Sequence, residues 1–202
     1  MFYSKDKSLF CKRSFDEYLR QVKSSIDQEI KNLSFQKIEE DEEEKIINTI
    51  LDKFDVVIPF LLEDKIKIKA KEQEVVVGSR DSRFFHDGPF KRMGLSVTVN
   101  IPFEGLGDLF EYQPSTQSLS GAPSADIENN SLILYYETIE KEPEKIKNLW
   151  QKDINDIKQN LEWIKKDILN HSNSLGAEIK TLLVNRKKEA RESQDLINKI
   201  TI

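Results

Sequence analysis

From Leu95 to Phe103 the residues Leu95, Val97, Val99, Ile101 and Phe103 alternate with Ser96, Thr98 and Asn100, a period of two that places every large apolar side chain on one face. No helix accommodates that pattern, so the chain must build a sheet with one face turned toward a core. Pro102 has no N–H for a ladder, and the strand is expected to stop or reach an edge there. Glu104-Gly105-Leu106-Gly107 supplies a reversal, after which Leu109, Phe110 and Tyr112 restart the apolar pattern before Pro114. The expectation is a hairpin-like return, with a short helical turn at Asp108 to Phe110 as the competing local reading.

The segments before this strand divide into helical and extended patterns. Ser14 followed by Glu17 has capping-box spacing, and Phe15, Tyr18, Leu19, Val22, Ile26, Ile30 and Leu33 recur at three and four residues. That predicts an amphipathic helix ending near Ser34. The acidic run Glu39 to Glu44 reads as the start of a second helix, where carboxylates favour the positive end of the dipole, continued by Ile46, Ile47, Ile50, Leu51 and Phe54. Asp55 to Leu62, interrupted by Pro59, reads as an extended connector. Ile66, Ile68 and Ala70 alternate with Lys65, Lys67, Lys69 and Lys71, which predicts a strand with a cationic face that blunts a sheet edge; Val75 to Val77 reads as a second short strand.

Beyond Ser115, the segment Thr116 to Ser124 is a Ser/Gly/Pro-rich loop. Asn129-Asn130 joins Ala125 to Glu128 with Ser131 to Ile139 in an expected tight hairpin, because asparagine tolerates positive φ. Leu132 to Tyr136 is apolar on both faces and is expected to be a central strand. Pro143 opens a helical stripe running from Ile146 to Ile168, and a second stripe runs from Leu175 to Ile200. Between them lies Asn170-His171-Ser172-Asn173-Ser174, four of whose residues favour turns and caps, so two antiparallel helices are expected. The rival is one continuous helix, since Ile168, His171 and Leu175 also keep a heptad register.

The resulting fold class is α+β: two N-terminal helices, a mainly antiparallel sheet of about four to six strands, and a long C-terminal helical hairpin. Residues 1–140 are expected to form the core domain and 141–202 the hairpin, packed on that same domain.

Composition narrows the function classes. The net charge of −5 gives no whole-molecule attraction to nucleic acid or an anionic membrane surface. No run is long and apolar enough to span a bilayer, the first residues lack a signal-peptide core, and the single Cys11 fits a reducing compartment, so the expected location is the cytoplasm. Two histidines, His86 and His171, exclude a histidine-rich metal site, and no cofactor or metal is expected. Gly105-Leu106-Gly107 lacks the third glycine and the Lys-Ser/Thr of a phosphate loop, and no Gly-x-Ser-x-Gly elbow occurs. Glu63-x-Lys65 has the spacing of metal-dependent nucleases, but Glu43-Lys45 and Glu178-Lys180 repeat it, as expected by chance in a composition this rich in both residues. Cys11 is read as an incidental thiol and His171 as a helix cap.

Two candidate surfaces remain. Ile197 and Ile200, with Leu183 and Leu196, mark the end of the last helix as an interface for a protein partner or for self-association, and the favoured function is a non-enzymatic interaction or regulatory module. The alternative is a sensor for a phosphate or nucleotide, or a phosphate-ester enzyme. It would use Arg80, Arg83, His86, Lys91 and Arg92 around Phe84, Phe85 and Phe90, with Thr116 to Ser124 as a lid.

Overall fold

The computed structural model describes residues 8–77, 90–117, 122–139 and 142–200. In chain order the elements are β1 (Arg13–Ser14), α1 (Phe15–Lys31), α2 (Phe35–Glu40), α3 (Glu43–Lys53), β2 (Phe60–Leu61), β3 (Lys67–Val77), β4 (Phe90–Glu104), β5 (Tyr112–Gln113), β6 (Asp126–Glu128), β7 (Ser131–Thr138) and α4 (Pro143–Ile200). Short 3-10 turns occupy Glu63–Lys65 and Gly107–Glu111. The α+β class expected from the pattern is the class observed. The chain divides into two compact units, one of residues 1–13 and 57–163, the other of residues 14–56 and 164–202.

The first unit is built on β4. This strand pairs antiparallel with β3 from Lys67↔Asn100 to Val77↔Phe90, and with β7 from Leu95↔Thr138 to Pro102↔Ser131. It has a partner on each edge, and the expected alternation is realised: Val97, Val99, Ile101 and Phe103 are buried, as are Leu132, Leu134 and Tyr136 beside them. The strand does not stop at Pro102. Lys67↔Asn100 ends the β3 pairing and Leu61↔Phe103 begins that of β2, so the proline falls where one edge partner gives way to the next. Its carbonyl accepts from the Leu62 N–H at 2.8 Å, and no amide hydrogen is wanted from it.

The segments expected as Ile66 to Lys71 and Val75 to Val77 form one strand of 11 residues, because β4 continues opposite them without a break. Asn129 and Asn130 adopt φ of 47° and 56°, the geometry of a type I′ turn, and close the β6–β7 hairpin as the sequence anticipates. After β4 the chain takes the helical alternative at Gly107–Glu111, not the hairpin return, which seats Leu109 and Phe110 in the core. Phe110 packs edge-on against Phe103 at 4.9 Å and receives the Phe10 ring at 5.9 Å. The incoming N-terminal segment is held there by the Phe10 N–H on the Phe110 carbonyl and the Lys12 N–H on that of Glu111.

α4 is one helix of 58 residues, so the expected helical hairpin is corrected to the continuous alternative. The polar stretch Asn170 to Ser174 does not reverse the chain. Ile164, Leu175, Ile179 and Leu183 stay buried in one phase across it, Ser174 Oγ satisfies itself on the His171 carbonyl at 2.9 Å, and Gly176 has nothing within 4 Å of an added Cβ. His171 lies inside this helix and caps no end.

The second unit gathers α1, α2, α3 and the later part of α4 around Ile26, Ile30, Ile38, Ile46, Ile50, Ile179 and their neighbours. The N-terminal helices therefore group with this part of α4, and the division does not follow a boundary at residue 140, because their apolar stripes are matched to the stripe of α4. The acidic run is split: Glu39 and Glu40 finish α2, capped at Ser34 by its side chain, while Glu43 and Glu44 open α3. Its carboxylates are used within the unit, Glu39 by Arg191, Asp41 by Lys45 and Glu43 by Lys180.

Gly105 has φ of +105°, and a Cβ there would lie 2.7 Å from the Ile58 carbonyl oxygen. Both the backbone region and the contact with main chain oppose any side chain. Gly105→Ala is expected to lower stability by about 2 kcal/mol, read as a fall in the urea midpoint at constant slope.

Candidate functional site

The sequence-derived interface residues sit at very different depths. Leu183 is buried in the core of the second unit with Leu175 and Ile179, so it is a packing residue and is corrected from the interface set. Leu196, Ile197 and Ile200 are 60%, 54% and 83% exposed. The reason is where the covering elements end. The Arg186 guanidinium donates to the Leu33 carbonyl at 3.2 Å, and Arg191 grips both oxygens of Glu39 at 2.9 and 3.2 Å, a bidentate pair at the level of α2. Hydrogen bonding from Arg191 holds the Glu39 carboxyl below the usual carboxylate range.

Ala190 is the last buried residue of α4, and from Arg191 to Ile200 the helix is exposed except at Gln194, which is half-buried. Leu183, Ala190 and Ile197 are seven residues apart, so Ile197 continues the buried face after the cover has ended, with Leu196 and Ile200 beside it. A helix of such length would be marginal on its own in water. Here it extends from a packed helix and presents three large aliphatic side chains to solvent.

Of the basic-loop residues, Arg80, Arg83 and His86 lie outside the described residues. Lys91 and Arg92 belong to β4, and Lys91 Nζ pairs with Glu74 across the β3 ladder at 3.3 Å. Within Thr116 to Ser124, residues 118–121 lie outside the described set, and Ser124 forms an isolated antiparallel bridge with Ser8.

Two further features were not legible as sites in the sequence. In the second unit, Leu19, Val22, Phe54, Ile168 and His171 line a cleft of about 250 Å³ that Asp52 and Asp55 also border. The His171 Nε2 there is inaccessible to water and has no hydrogen-bond partner. In the first unit, the Tyr136 hydroxyl donates to Asp153 Oδ2 at 2.7 Å, tying the sheet to the first part of α4, and Lys158 adds a pair with Glu63 at 2.8 Å. Burial raises the Asp153 carboxyl above the ordinary aspartate value, against the opposing hydrogen bond from Tyr136, with the Asp156 charge adding to the rise.

No group of three or more His, Cys, Asp or Glu side chains able to hold a metal occurs among the described residues. Cys11 is exposed, with its Sγ on the Ser8 carbonyl at 3.1 Å. No described helix is long and apolar enough to cross a membrane. No protein family, curated protein or solved structure matches the chain.

Leu183→Ala is expected to cost about 3 kcal/mol by leaving a cavity among Leu175, Ile179 and their neighbours, whereas Leu196→Ala changes stability by less than about 0.5 kcal/mol. Guanidinium unfolding of the two variants separates core from surface.

The folded protein holds the Asp153 proton to higher pH than the unfolded chain does. Its contribution to stability therefore falls as pH rises from the ordinary aspartate range through the raised folded value. Asp153→Asn keeps an acceptor for Tyr136 and is expected to remove that fall, seen as a parent-minus-variant difference in urea midpoint that becomes more negative across this window.

Proposed function

We propose that this chain is a non-enzymatic cytoplasmic interaction module whose joining surface is the end of α4, and that a second copy of the chain is its first partner. The observation that carries the reading is the apolar stripe that outruns its cover, leaving Leu196, Ile197 and Ile200 exposed in line with Leu183 and Ala190. Glu192 and Lys199 lie seven residues apart on one flank of this stripe. In an antiparallel helix pair related by a two-fold axis, like flanks meet, so Glu192 of each copy faces Lys199 of the other and both pairs form at once. The only described ion-pair partner of Glu192 within the chain is Lys188, at the long distance of 4.0 Å.

Light scattering of the full chain is expected to give a concentration-dependent dimer. The triple change L196S/I197S/I200S is expected to give a monomer with unchanged unfolding, since none of the three is buried. Swapping the flank charges, Glu192→Lys with Lys199→Glu, should retain the dimer, while either change alone weakens it. A parent chain that stays monomeric at high concentration would remove self-association from the reading.

A further inference from the structure

The register of β3, β4 and β7 assembles a second surface from residues far apart in sequence. Side chains of directly paired residues share a face. Lys67, Lys69 and Lys71 stand on the same side as their partners Asn100, Thr98 and Ser96, and those in turn pair with Ile133, Tyr135 and Glu137. This is the face opposite buried Val97, Val99, Leu134 and Tyr136. Thr98 and Asn100 are half-buried, the three lysines are exposed, and Tyr135 is 45% exposed.

Some lysines of this chain are neutralised by a carboxylate and others, such as Lys65, Lys152 and Lys165, have none among the described residues. Lys12, Lys23, Lys31, Lys45, Lys53 and Lys91 all pair with carboxylates. Lys67, Lys69 and Lys71 have no carboxylate partner among the described residues. Protection of an edge strand calls for a charge on it, but not for three unpaired cations on one face in successive positions. Alternate residues of a strand are about 6.7 Å apart, so the three lysines leave the strand at regular intervals along its edge. An extended polyanion with a repeating charge matches that row.

The residues beside the row narrow the class. One strand inward lie a hydroxyl and an amide, Thr98 and Asn100; two strands inward, about 10 Å from the row, lies the ring of Tyr135. Glu137 stands at the same depth, where its Oε1 accepts from Gln73. The surface thus passes from a cationic strand to a polar one and then to a strand that carries Ile133, Tyr135 and Glu137 side by side. A nucleic acid strand has the same order of chemistry, from phosphate through sugar to base, with exocyclic amino groups that donate to carboxylates.

We propose that this face of the first unit binds single-stranded nucleic acid, with phosphates along Lys67, Lys69 and Lys71 and a base stacked on Tyr135. The net charge of −5 does not oppose it, because at physiological salt charges further than about 8 Å from the row are largely screened. The surface belongs to the first unit alone and does not depend on the end of α4.

The test is fluorescence anisotropy of labelled dT12 and U12 with the full chain, against a twelve-pair duplex and heparin. Single strands are expected to bind at least tenfold more tightly than the duplex, whose stacked bases are withheld from Tyr135. Three phosphate contacts at about −0.7 each give an expected slope of log K against log salt of about −2. K67Q/K69Q/K71Q should weaken single-strand binding at least tenfold and flatten that slope, while K67R/K69R/K71R retains it. Tyr135→Leu should weaken dT12 and U12 about tenfold and leave heparin unchanged. The substituted lysines are exposed, and thermal unfolding checks that each variant is folded. Absence of single-strand binding at low salt overturns the proposal, as does binding indifferent to the glutamine triple. Equal affinity for duplex, or equal effects of Tyr135→Leu on heparin and dT12, reduces the face to general polyanion attraction and overturns it too.

Discussion

The first unit depends on the backbone of β4 being satisfied along both edges. A 15-residue strand carries polar groups that cannot be buried unpaired, and here β3 and β2 take up one edge while β7 takes the other. Much else follows from that arrangement. Pro102 is tolerated at the changeover between edge partners, the apolar face of Val97, Val99 and Ile101 is sealed beside Leu132 and Leu134, and the polar face becomes a surface three strands wide. The lysine row is a consequence of the same register: among the described residues β3 pairs with β4 alone, so its residues sit at an edge.

In the second unit the corresponding constraint is the phase of one helical stripe. Ile179 and its neighbours on α4 meet Ile26 and Ile30 of α1, Ile38 of α2 and Ile46 and Ile50 of α3. Short helices of six and 11 residues are not stable alone, so α2 and α3 owe their form to this packing and to the capping of α2 by Ser34. Exposed ion pairs such as Lys53–Glu29 and Lys23–Glu178 surround the core. Pairs of this kind add little to stability.

Two exposed surfaces differ in character from the rest. One is apolar, the helix end past Ala190; the other is cationic, the row on β3. Each was partly visible in the residue pattern. The exposed isoleucines were legible because the charged stretch between Leu183 and Leu196 signals solvent, whereas the burial of Leu183 was not, since it depends on α1 to α3 returning to cover it. Sequence showed the lysine row as an edge, but the residues that give it chemical meaning, Thr98, Asn100 and Tyr135, lie up to 68 positions away, as between Lys67 and Tyr135.

The sequence by itself determined the features whose physics is local. Alternation made β4 a half-buried strand, two asparagines accepting positive φ made the tight turn between β6 and β7, and three-four spacing made α1 and both stripes of α4 helical. Tertiary structure decided what local preference leaves balanced. Asn170 to Ser174 favours a cap as readily as a solvated helix turn, and the burial of Ile164, Leu175 and Ile179 in one unbroken phase selected the continuous helix. The grouping of the N-terminal helices with α4, and the juxtaposition of lysines with Tyr135, likewise rest on contacts between distant segments. Such contacts are set by which apolar faces find cover and which backbone edges find partners, and neither is written within a short window of the chain.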